Sequence, residues 1–295
     1  MYQRLDECPV CKSTNLTNDR IITDYSISKE SFALSQCKEC NFLFTNPRPS
    51  EEALGKYYES EDYVSHTDEG NNLINKVYRT VRGITLKQKL HLVNKEAEDI
   101  ENLLDIGCGT GHFLETAAKG GWQIKGVEPN PGANEQAAKR LKRPIAKDLF
   151  DIEPRKQFQA ITMWHVLEHL PKLNETVEFL KQLTTKKGRI FIAVPNAGSW
   201  DCQHYGDQWA AWDVPRHLYH FTQDTFRTLM KAHDLRVTQI HPMKFDAFYV
   251  SMLSEGFITQ NKNYIKAFKN GWRSNQWAKT NNNNYSSLIY VVKKK

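Results

Sequence analysis

A glycine-rich segment gives the clearest chemical signal in this sequence. It begins at the end of a short apolar run at 102–106 and reads Asp105-Ile106-Gly107-Cys108-Gly109-Thr110-Gly111. Glycines let a backbone turn sharply and approach a ligand closely, and a helix that begins after the turn offers free N–H groups and a positive dipole end. The segment therefore predicts a turn that binds a phosphate- or nucleoside-type ligand.

The spacing of the glycines separates two kinds of ligand. A dinucleotide site requires Gly-x-Gly-x-x-Gly, but here the last glycine comes one residue early and His112 stands in its place. This departure counts against NAD. Glu128 lies at the end of the next expected strand, where a carboxylate can accept hydrogen bonds from both ribose hydroxyls of either ligand.

Four of the six cysteines form two Cys-x-x-Cys pairs, Cys8 with Cys11 and Cys37 with Cys40. Such knuckles direct four thiolates to one tetrahedral ion, and a site closed by four thiolates leaves no position for a catalytic water. We predict a structural zinc ion, because the small unit has too little core to fold alone. A redox role is the competing interpretation, although redox Cys-x-x-Cys pairs normally precede a helix in a βαβ setting.

The elements that must position these residues alternate from about residue 101 onwards. Strands are expected at 102–106, 123–128, 144–147, 158–164 and 189–194, helices at 111–119, 131–142, 171–184 and 222–234, and two more strands at 235–241 and 287–293. The repeated βα pattern predicts a parallel sheet with helices on both faces. Pro171 is expected in the first turn of its helix.

Three regions are expected along the chain. Residues 1–49 form a zinc-ribbon unit with a β-hairpin between the cysteine pairs, and a turn-rich boundary at 46–50 ends it. Residues 50–100 form a helical lid or linker, and residues 101–295 form the ligand-binding domain.

Three motifs in order resemble those of class I S-adenosylmethionine (SAM)-dependent methyltransferases that act on small molecules. Residues 103–111 resemble the first motif, 126–130 the second, and 164–170 the motif after the fourth strand. The resemblance covers about residues 100 to 240. It implies an α/β, Rossmann-like fold with a seven-stranded, mostly parallel sheet, and SAM as the cofactor.

The resemblance also implies cofactor roles position by position. Asp105 and the 107–111 backbone would hold the methionine end of SAM, and Glu128 would bind the ribose. Asp148 with the Leu149 backbone would face the adenine, and His165 would line the sulfonium side. The other residues assigned to this site are Gly107, Cys108, Gly109, Gly111, Pro129 and Tyr63. Tyr63 belongs to the lid, together with Tyr57, Tyr58 and His66.

Residues 209–222 carry the candidates for catalysis, because loops after the strands of such a sheet gather where ligands bind. His217, Tyr219 and His220 lie here, and His217 is the predicted base because histidine holds a proton near neutral pH. The alternative is that His217 or His220 supports the loop. Residues 216–222 loosely resemble the base-bearing segment of zinc-bearing deoxysugar C-methyltransferases, which implies a small-molecule acceptor such as a sugar-containing or lipid-linked metabolite.

Composition and charge narrow the partners. The net charge of +6 is scattered rather than arranged in a stripe, so nucleic acid is not expected. The sequence shows neither an apolar run of about 18 residues nor an apolar signal segment, so we expect a cytoplasmic protein without a membrane span. Two alternatives remain: an rRNA or tRNA methyltransferase in which the zinc unit assists RNA binding, and a non-catalytic SAM-binding protein.

Overall fold

The computed structural model describes residues 1–58, 73–155, 157–259 and 263–295, with the backbone alone for 73–79. The strands are β1 (Tyr2–Gln3), β2 (Leu16–Thr23), β3 (Ser31–Cys37), β4 (Leu43–Thr45), β5 (Arg48–Pro49), β6 (Asn102–Ile106), β7 (Gln123–Val127), β8 (Phe158–Trp164), β9 (Thr184–Pro195), β10 (Tyr219–His220), β11 (Leu235–Pro242) and β12 (Ser287–Lys294). The helices are α1 (Glu51–Leu54), α2 (Leu73–Glu96), α3 (His112–Lys119), α4 (Pro131–Leu141), α5 (Leu173–Leu183), α6 (Trp200–Tyr205), α7 (Gln223–Ala232), α8 (Asp246–Thr259) and α9 (Tyr264–Thr280).

The larger sheet has the strand order β11-β12-β9-β8-β6-β7. The strands β7, β6, β8 and β9 are parallel, and β12 runs antiparallel to both of its neighbours. Ile106 is in register with Val127 and with Met163, so the carboxyl ends of the parallel strands reach the same edge. The loops that follow these strands therefore gather at one place, and the predicted Rossmann-like fold is confirmed.

The number of strands differs from the predicted seven. Of the strand expected at 144–147, the structure keeps a single parallel bridge between Ala146 and Val127. Pro144 has no N–H to donate, and Asp148 already caps the 3-10 helix Leu149–Asp151. Too few residues lie between these two positions for a strand to extend.

The core lies between the sheet and the helices that cover it. From Ile190 to Val194, β9 is almost fully buried, as a central strand covered on both faces should be. Helix α5 places Val177, Leu180 and Leu183 on one buried face, and burying such side chains contributes about 1.5–3 kcal/mol each.

The prediction for Pro171 is wrong, because α5 begins at Leu173 and Lys172 is its N-cap. The Pro171 carbonyl instead accepts hydrogen bonds from Tyr219 Oη (2.9 Å) and Arg48 Nη2 (3.3 Å). Pro171 thus lies in the connection that joins α5 to the amino-terminal region.

A second sheet joins the amino-terminal region to the loop after β9. Strands β2 and β3 form the predicted hairpin, and the sheet order is β10-β4-β3-β2. Tyr219 of β10 pairs with Phe44, and His220 with Leu43. The loop that carries the catalytic candidates is therefore anchored to the amino-terminal unit by backbone pairing.

The segment between β11 and β12, for which the sequence predicts no elements, contains α8 and α9. The two helices cross closely at Gly271, where a methyl group would lie 2.8 Å from Phe248 Cα. Among the described residues, no helix combines the length and the apolar character that a membrane crossing requires.

Candidate active site

The glycine turn 107–111 connects β6 to α3. Gly107, Gly109 and Gly111 have φ angles of +65°, +53° and +82°, a region in which other residues are strained. A methyl group at Gly107 would lie 2.4 Å from Val166 Cγ2, whereas at Gly109 the described residues leave open space within 4 Å. A ligand can therefore approach the backbone at the middle of the turn.

Glu128 lies beside this opening, directly after β7. Its Oε2 accepts a hydrogen bond from the Gly109 N–H at 2.8 Å, and its Oε1 accepts one from the Asn130 N–H at 2.9 Å. Burial raises the pKa of this carboxyl, and the two N–H groups oppose the shift. Glu128 therefore holds the turn in shape and places its carboxylate beside the opening.

Asp105 is buried at the end of β6 and accepts a hydrogen bond from Thr162 Oγ1 at 2.6 Å. Burial raises its pKa to about 7. The ammonium of Lys89, from α2, lies 4.4 Å from the centre of the Trp164 ring. Burial lowers the pKa of Lys89, against the opposing charges of Asp246 and Asp105.

Lys89 was not among the residues that the sequence singled out. One signal for it exists, since Lys89 belongs to the same helical stripe as Leu86, Leu90 and Val93. These three side chains pack against a buried cluster, Val93 as a member of it and the two leucines along its edge. A lysine on such a stripe faces inward.

The other predicted cofactor residues lie on the loops around the turn. Asp148 is exposed and accepts a hydrogen bond from the Phe150 N–H at 2.9 Å, and Leu149 is buried beside it. Pro129 is exposed next to Glu128. Cys108 is buried, and its N–H donates to the Val127 carbonyl at 3.0 Å. Tyr63 and His66 lie outside the described residues.

His165 follows β8 and lies between two carboxylates. Its Nδ1 is 3.3 Å from Glu168 Oε1, and its Nε2 is 2.9 Å from Asp246 Oδ2. Burial alone would lower the pKa of His165, but the hydrogen bonds to Asp246 and Glu168 raise it to about 9. The imidazolium therefore links the loop after β8 to the start of α8, and Asp246 carries a contact that the sequence did not predict.

Two further histidines face each other beyond Glu168. The rings of His169 and His217 are 4.6 Å apart and nearly perpendicular. Nδ1 of His169 is 3.0 Å from the Arg216 carbonyl, and Nδ1 of His217 is 2.9 Å from the Ala211 carbonyl. Burial and the nearby His217 lower the pKa of His169 to about 4, so its imidazole is neutral at pH 7.

A fully buried ion pair holds the loop that carries His217. Arg216 donates from Nη2 to Asp24 Oδ1 at 2.9 Å and from Nε to both carboxylate oxygens of Asp213 at 3.1 Å. Its Nη1 also donates to the Tyr57 carbonyl at 3.2 Å. Arg216 therefore joins the β2–β3 turn, the loop that carries the catalytic candidates and the start of the predicted lid.

The polar atoms of Tyr219 and His220 make their hydrogen bonds elsewhere than to His217 or Glu168. The Tyr219 hydroxyl accepts from Arg48 Nη1 at 2.8 Å and donates to the Pro171 carbonyl. His220 Nε2 is 3.3 Å from Thr45 Oγ1, and burial lowers the pKa of this histidine well below its ordinary value. Both side chains contact the amino-terminal unit through β10.

The four paired cysteines come together in the amino-terminal unit, and we call them the cysteine cluster. Cys8 Sγ is 3.5 Å from Cys40 Sγ, and Cys11 Sγ is 3.4 Å from Cys37 Sγ. These separations are far longer than a disulfide bond of about 2.05 Å. They are close to the roughly 3.8 Å between thiolates that bind one tetrahedral zinc ion at about 2.3 Å, so the cluster fits the predicted zinc.

Comparisons with known sequences agree with this geometry. A family model described as a methyltransferase domain matches residues 78–240. A ubiquinone biosynthesis O-methyltransferase of Burkholderia orbicola is 24% identical over 194 residues, which are 61% of this chain and 81% of that protein. One from Stutzerimonas stutzeri is 26% identical over 104 residues, and the chain spans less than half of its length (45%).

Solved structures show the same fold. Magnesium protoporphyrin IX methyltransferase from Synechocystis PCC 6803, with bound SAH, superposes with a TM-score of 0.55 at 12% identity, over 83% of this chain and 100% of that chain. Mitomycin 7-O-methyltransferase gives a TM-score of 0.50 at 12% identity, over 82% of this chain and 60% of that chain.

Proposed function

We propose, from the premise that this chain belongs to the methyltransferase-domain family of class I SAM-dependent enzymes, that it transfers the methyl group of SAM to a small-molecule acceptor. The contact of Glu128 Oε2 with the Gly109 N–H carries this proposal. It sets a carboxylate at the rim of an opening in the backbone, and the geometry suits a nucleoside whose ribose replaces part of that contact.

Each residue around the opening would contact a different part of the cofactor. Glu128 would accept hydrogen bonds from the ribose hydroxyls, and the N–H groups at the start of α3 would face the methionine carboxylate. Asp105 would pair with the methionine ammonium, and Lys89 would balance its charge from α2. Asp148 stays the predicted adenine-side residue, where an exposed carboxylate is free to accept from an amino group.

Methyl transfer from SAM is an in-line displacement, and the sulfonium is already a good leaving group. The protein must bring the acceptor close and in line, which can supply about 7–11 kcal/mol of the barrier reduction. An acceptor hydroxyl must also lose its proton. Glu168, His169 and His217 form the group that could deal with that proton, and we propose it as the acceptor side of the site.

We further propose that the methylated atom is an oxygen of a hydroxylated metabolite, of the sugar-containing or lipid-linked kind that the sequence suggests. The curated relatives are named O-methyltransferases, which supports oxygen. Tyr219 and His220 are proposed as positioning residues, because their polar atoms are already bonded to the amino-terminal unit.

Calorimetric titration with SAM tests the cofactor half of the proposal. Replacing Glu128 by Ala removes two charge-assisted hydrogen bonds of about 1.5–3 kcal/mol each, so the affinity for SAM should fall by about 100-fold or more. Glu135→Ala is the matched control, since Glu135 is exposed on α4 and pairs with Lys139. Native affinity in the Glu128 variant would discredit the site.

The transfer half needs a second assay. Formation of S-adenosylhomocysteine from SAM should depend on a hydroxylated small molecule, and a panel of sugars and phenols should include at least one acceptor class. A folded, zinc-loaded protein that does not bind SAM would contradict the whole proposal.

A further inference from the structure

We propose that Glu168, His169 and His217 bind a divalent transition-metal ion beside the cofactor turn, with an open position for the acceptor oxygen. The existence of the site rests on geometry alone, and its catalytic use rests on the function proposed above. One ligand atom from each residue can be chosen so that all three lie within 4.8 Å of one another.

Each of the two imidazoles makes a hydrogen bond through Nδ1 to a backbone carbonyl, which leaves Nε2 as the candidate ligand atom, and Nε2 of His217 lies 3.8 Å from Asp213 Oδ2. A carbonyl oxygen can only accept a hydrogen bond, so the contacts of His169 with Arg216 and of His217 with Ala211 place the proton on Nδ1 in each ring. Each Nε2 then carries a lone pair. Metal-binding histidines commonly have this second hydrogen bond to a backbone carbonyl, which fixes tautomer and ring orientation.

Glu168 supplies an independent sign that something binds here. The residue is 0% exposed, and His165 occupies only its Oε1. Oε2 has no hydrogen-bond partner among the described residues. A buried carboxylate oxygen without a partner is costly, and a cation held with the two imidazoles would satisfy it.

The surroundings hold the three residues in place. His169 and Glu168 share the 3-10 helix Leu167–His169, and the Leu218 N–H donates to the Glu168 carbonyl at 2.8 Å. The Arg216 ion pair with Asp24 fixes the loop next to His217. The site is therefore rigid without an ion, which lowers the cost of binding one.

The position of the cluster suits the proposed reaction. Val166, two residues before Glu168, would be in contact with any side chain at Gly107, so the loop that carries Glu168 and His169 adjoins the cofactor turn. Two imidazoles and one carboxylate suit Zn²⁺, Co²⁺ or Fe²⁺, and three protein ligands leave a position open.

The chemical step is simple to balance. Glu168, His169 and His217 would hold the ion, the ion would lower the pKa of an acceptor hydroxyl beside it, and the proton of that hydroxyl would pass to water. The new O–CH₃ bond forms as the S–CH₃ bond breaks, and the electron pair of that bond stays on the sulfur of S-adenosylhomocysteine. In this mechanism His217 is a metal ligand. In the alternative mechanism His217 is the base, and no metal ion is needed.

Metal analysis by mass spectrometry tests the inference on purified, full-length protein saturated with Zn²⁺ and desalted. Native protein should hold one ion more than the cysteine cluster alone accounts for. His217→Ala and Glu168→Ala should each lose that one ion. His204→Gln is the control, because His204 is an exposed histidine outside the cluster and should change nothing.

Cobalt replacement keeps the test valid if a variant fails to fold. In native protein the cysteine cluster should give thiolate-to-cobalt charge-transfer bands, and the proposed site should add ligand-field bands of nitrogen and oxygen coordination. Native protein with a single ion per chain and thiolate bands alone would overturn the metal site. If the same sample binds SAM, the proposed function survives that result, whereas two ions without SAM binding would overturn the function and leave the metal site standing.

Discussion

Replacing Gly109 by Ala should weaken SAM binding by about 100-fold while the protein stays folded. The added methyl group would point into space that the described residues leave open within 4 Å. That space is where the proposed cofactor approaches the backbone. Gly107→Ala is the matched comparison, because it lies two residues away in the same turn and has a similar φ angle.

The two substitutions should differ in their effect on the free energy of unfolding. An alanine in the left-handed region costs about 1–2 kcal/mol at either position. At Gly107 the methyl group would also lie 2.4 Å from Val166 Cγ2, and overpacking of this kind costs about 1–3 kcal/mol more. We therefore expect about 1–2 kcal/mol of destabilisation for Gly109→Ala and about 2–5 kcal/mol for Gly107→Ala.

For the same loss of stability, Gly109→Ala should weaken SAM binding more than Gly107→Ala. In Gly109→Ala the methyl group meets the ligand rather than the protein, and a clash of about 3 kcal/mol would weaken binding by about 100-fold. Urea denaturation measures the first quantity and calorimetric titration with SAM the second. Native SAM affinity in a folded Gly109→Ala protein would refute the assignment of the open space, and equal stabilities of the two variants would refute the packing argument.

Three other perturbations have defined outcomes. Burial raises the pKa of Asp105 to about 7. Because SAM binding favours the ionised carboxylate, it should release a proton at about pH 6 and none well above pH 7. Calorimetric titrations in buffers of different ionisation enthalpy measure this release, and a release that persists in Asp105→Asn would contradict the prediction. Asp24→Ala leaves the buried Arg216 with one carboxylate partner and should lower the free energy of unfolding by about 3–5 kcal/mol, whereas the exposed Asp207→Ala should change it by less than about 0.5 kcal/mol in the same denaturation assay. Removing zinc from the cysteine cluster with a chelator should expose the amino-terminal unit to proteolysis, and an unchanged cleavage pattern would count against a structural metal.

Much of the fold could be predicted from local patterns in the sequence. The alternation of apolar strands with amphipathic helices from Asn102 to Val194 predicted the parallel sheet, because burial on both faces forces such a pattern. This alternation could not show that the strand expected near Pro144 is reduced to one bridge, because its length depends on where Asp148 caps the following 3-10 helix. The helices α8 and α9 were not predicted for this segment, and their close crossing at Gly271 is a tertiary contact that the spacing of apolar residues does not reveal.

Within the candidate site, the turn and Glu128 were recognisable because their function depends on backbone geometry written into a few adjacent residues. Lys89 was not, because it acts from a distant element. The segment 245–249 was expected to help form an acceptor pocket, but the contact of Asp246 with His165 joins residues 81 positions apart and could not be predicted. His217 was visible as a histidine in a promising loop, but its neighbours in space are Glu168 and His169, about fifty residues earlier in the sequence.

The sequence by itself determined which residues could bind a nucleoside and a metal, since glycine spacing and cysteine spacing constrain the chain over a few residues. The tertiary structure alone decided which of the remaining polar groups share a site. The reason is physical: the edge of the sheet collects loops from separate strands, and β10 with the Arg216 ion pair holds one of those loops against the amino-terminal unit. Only that closure brings Glu168, His169 and His217 within reach of one ligand.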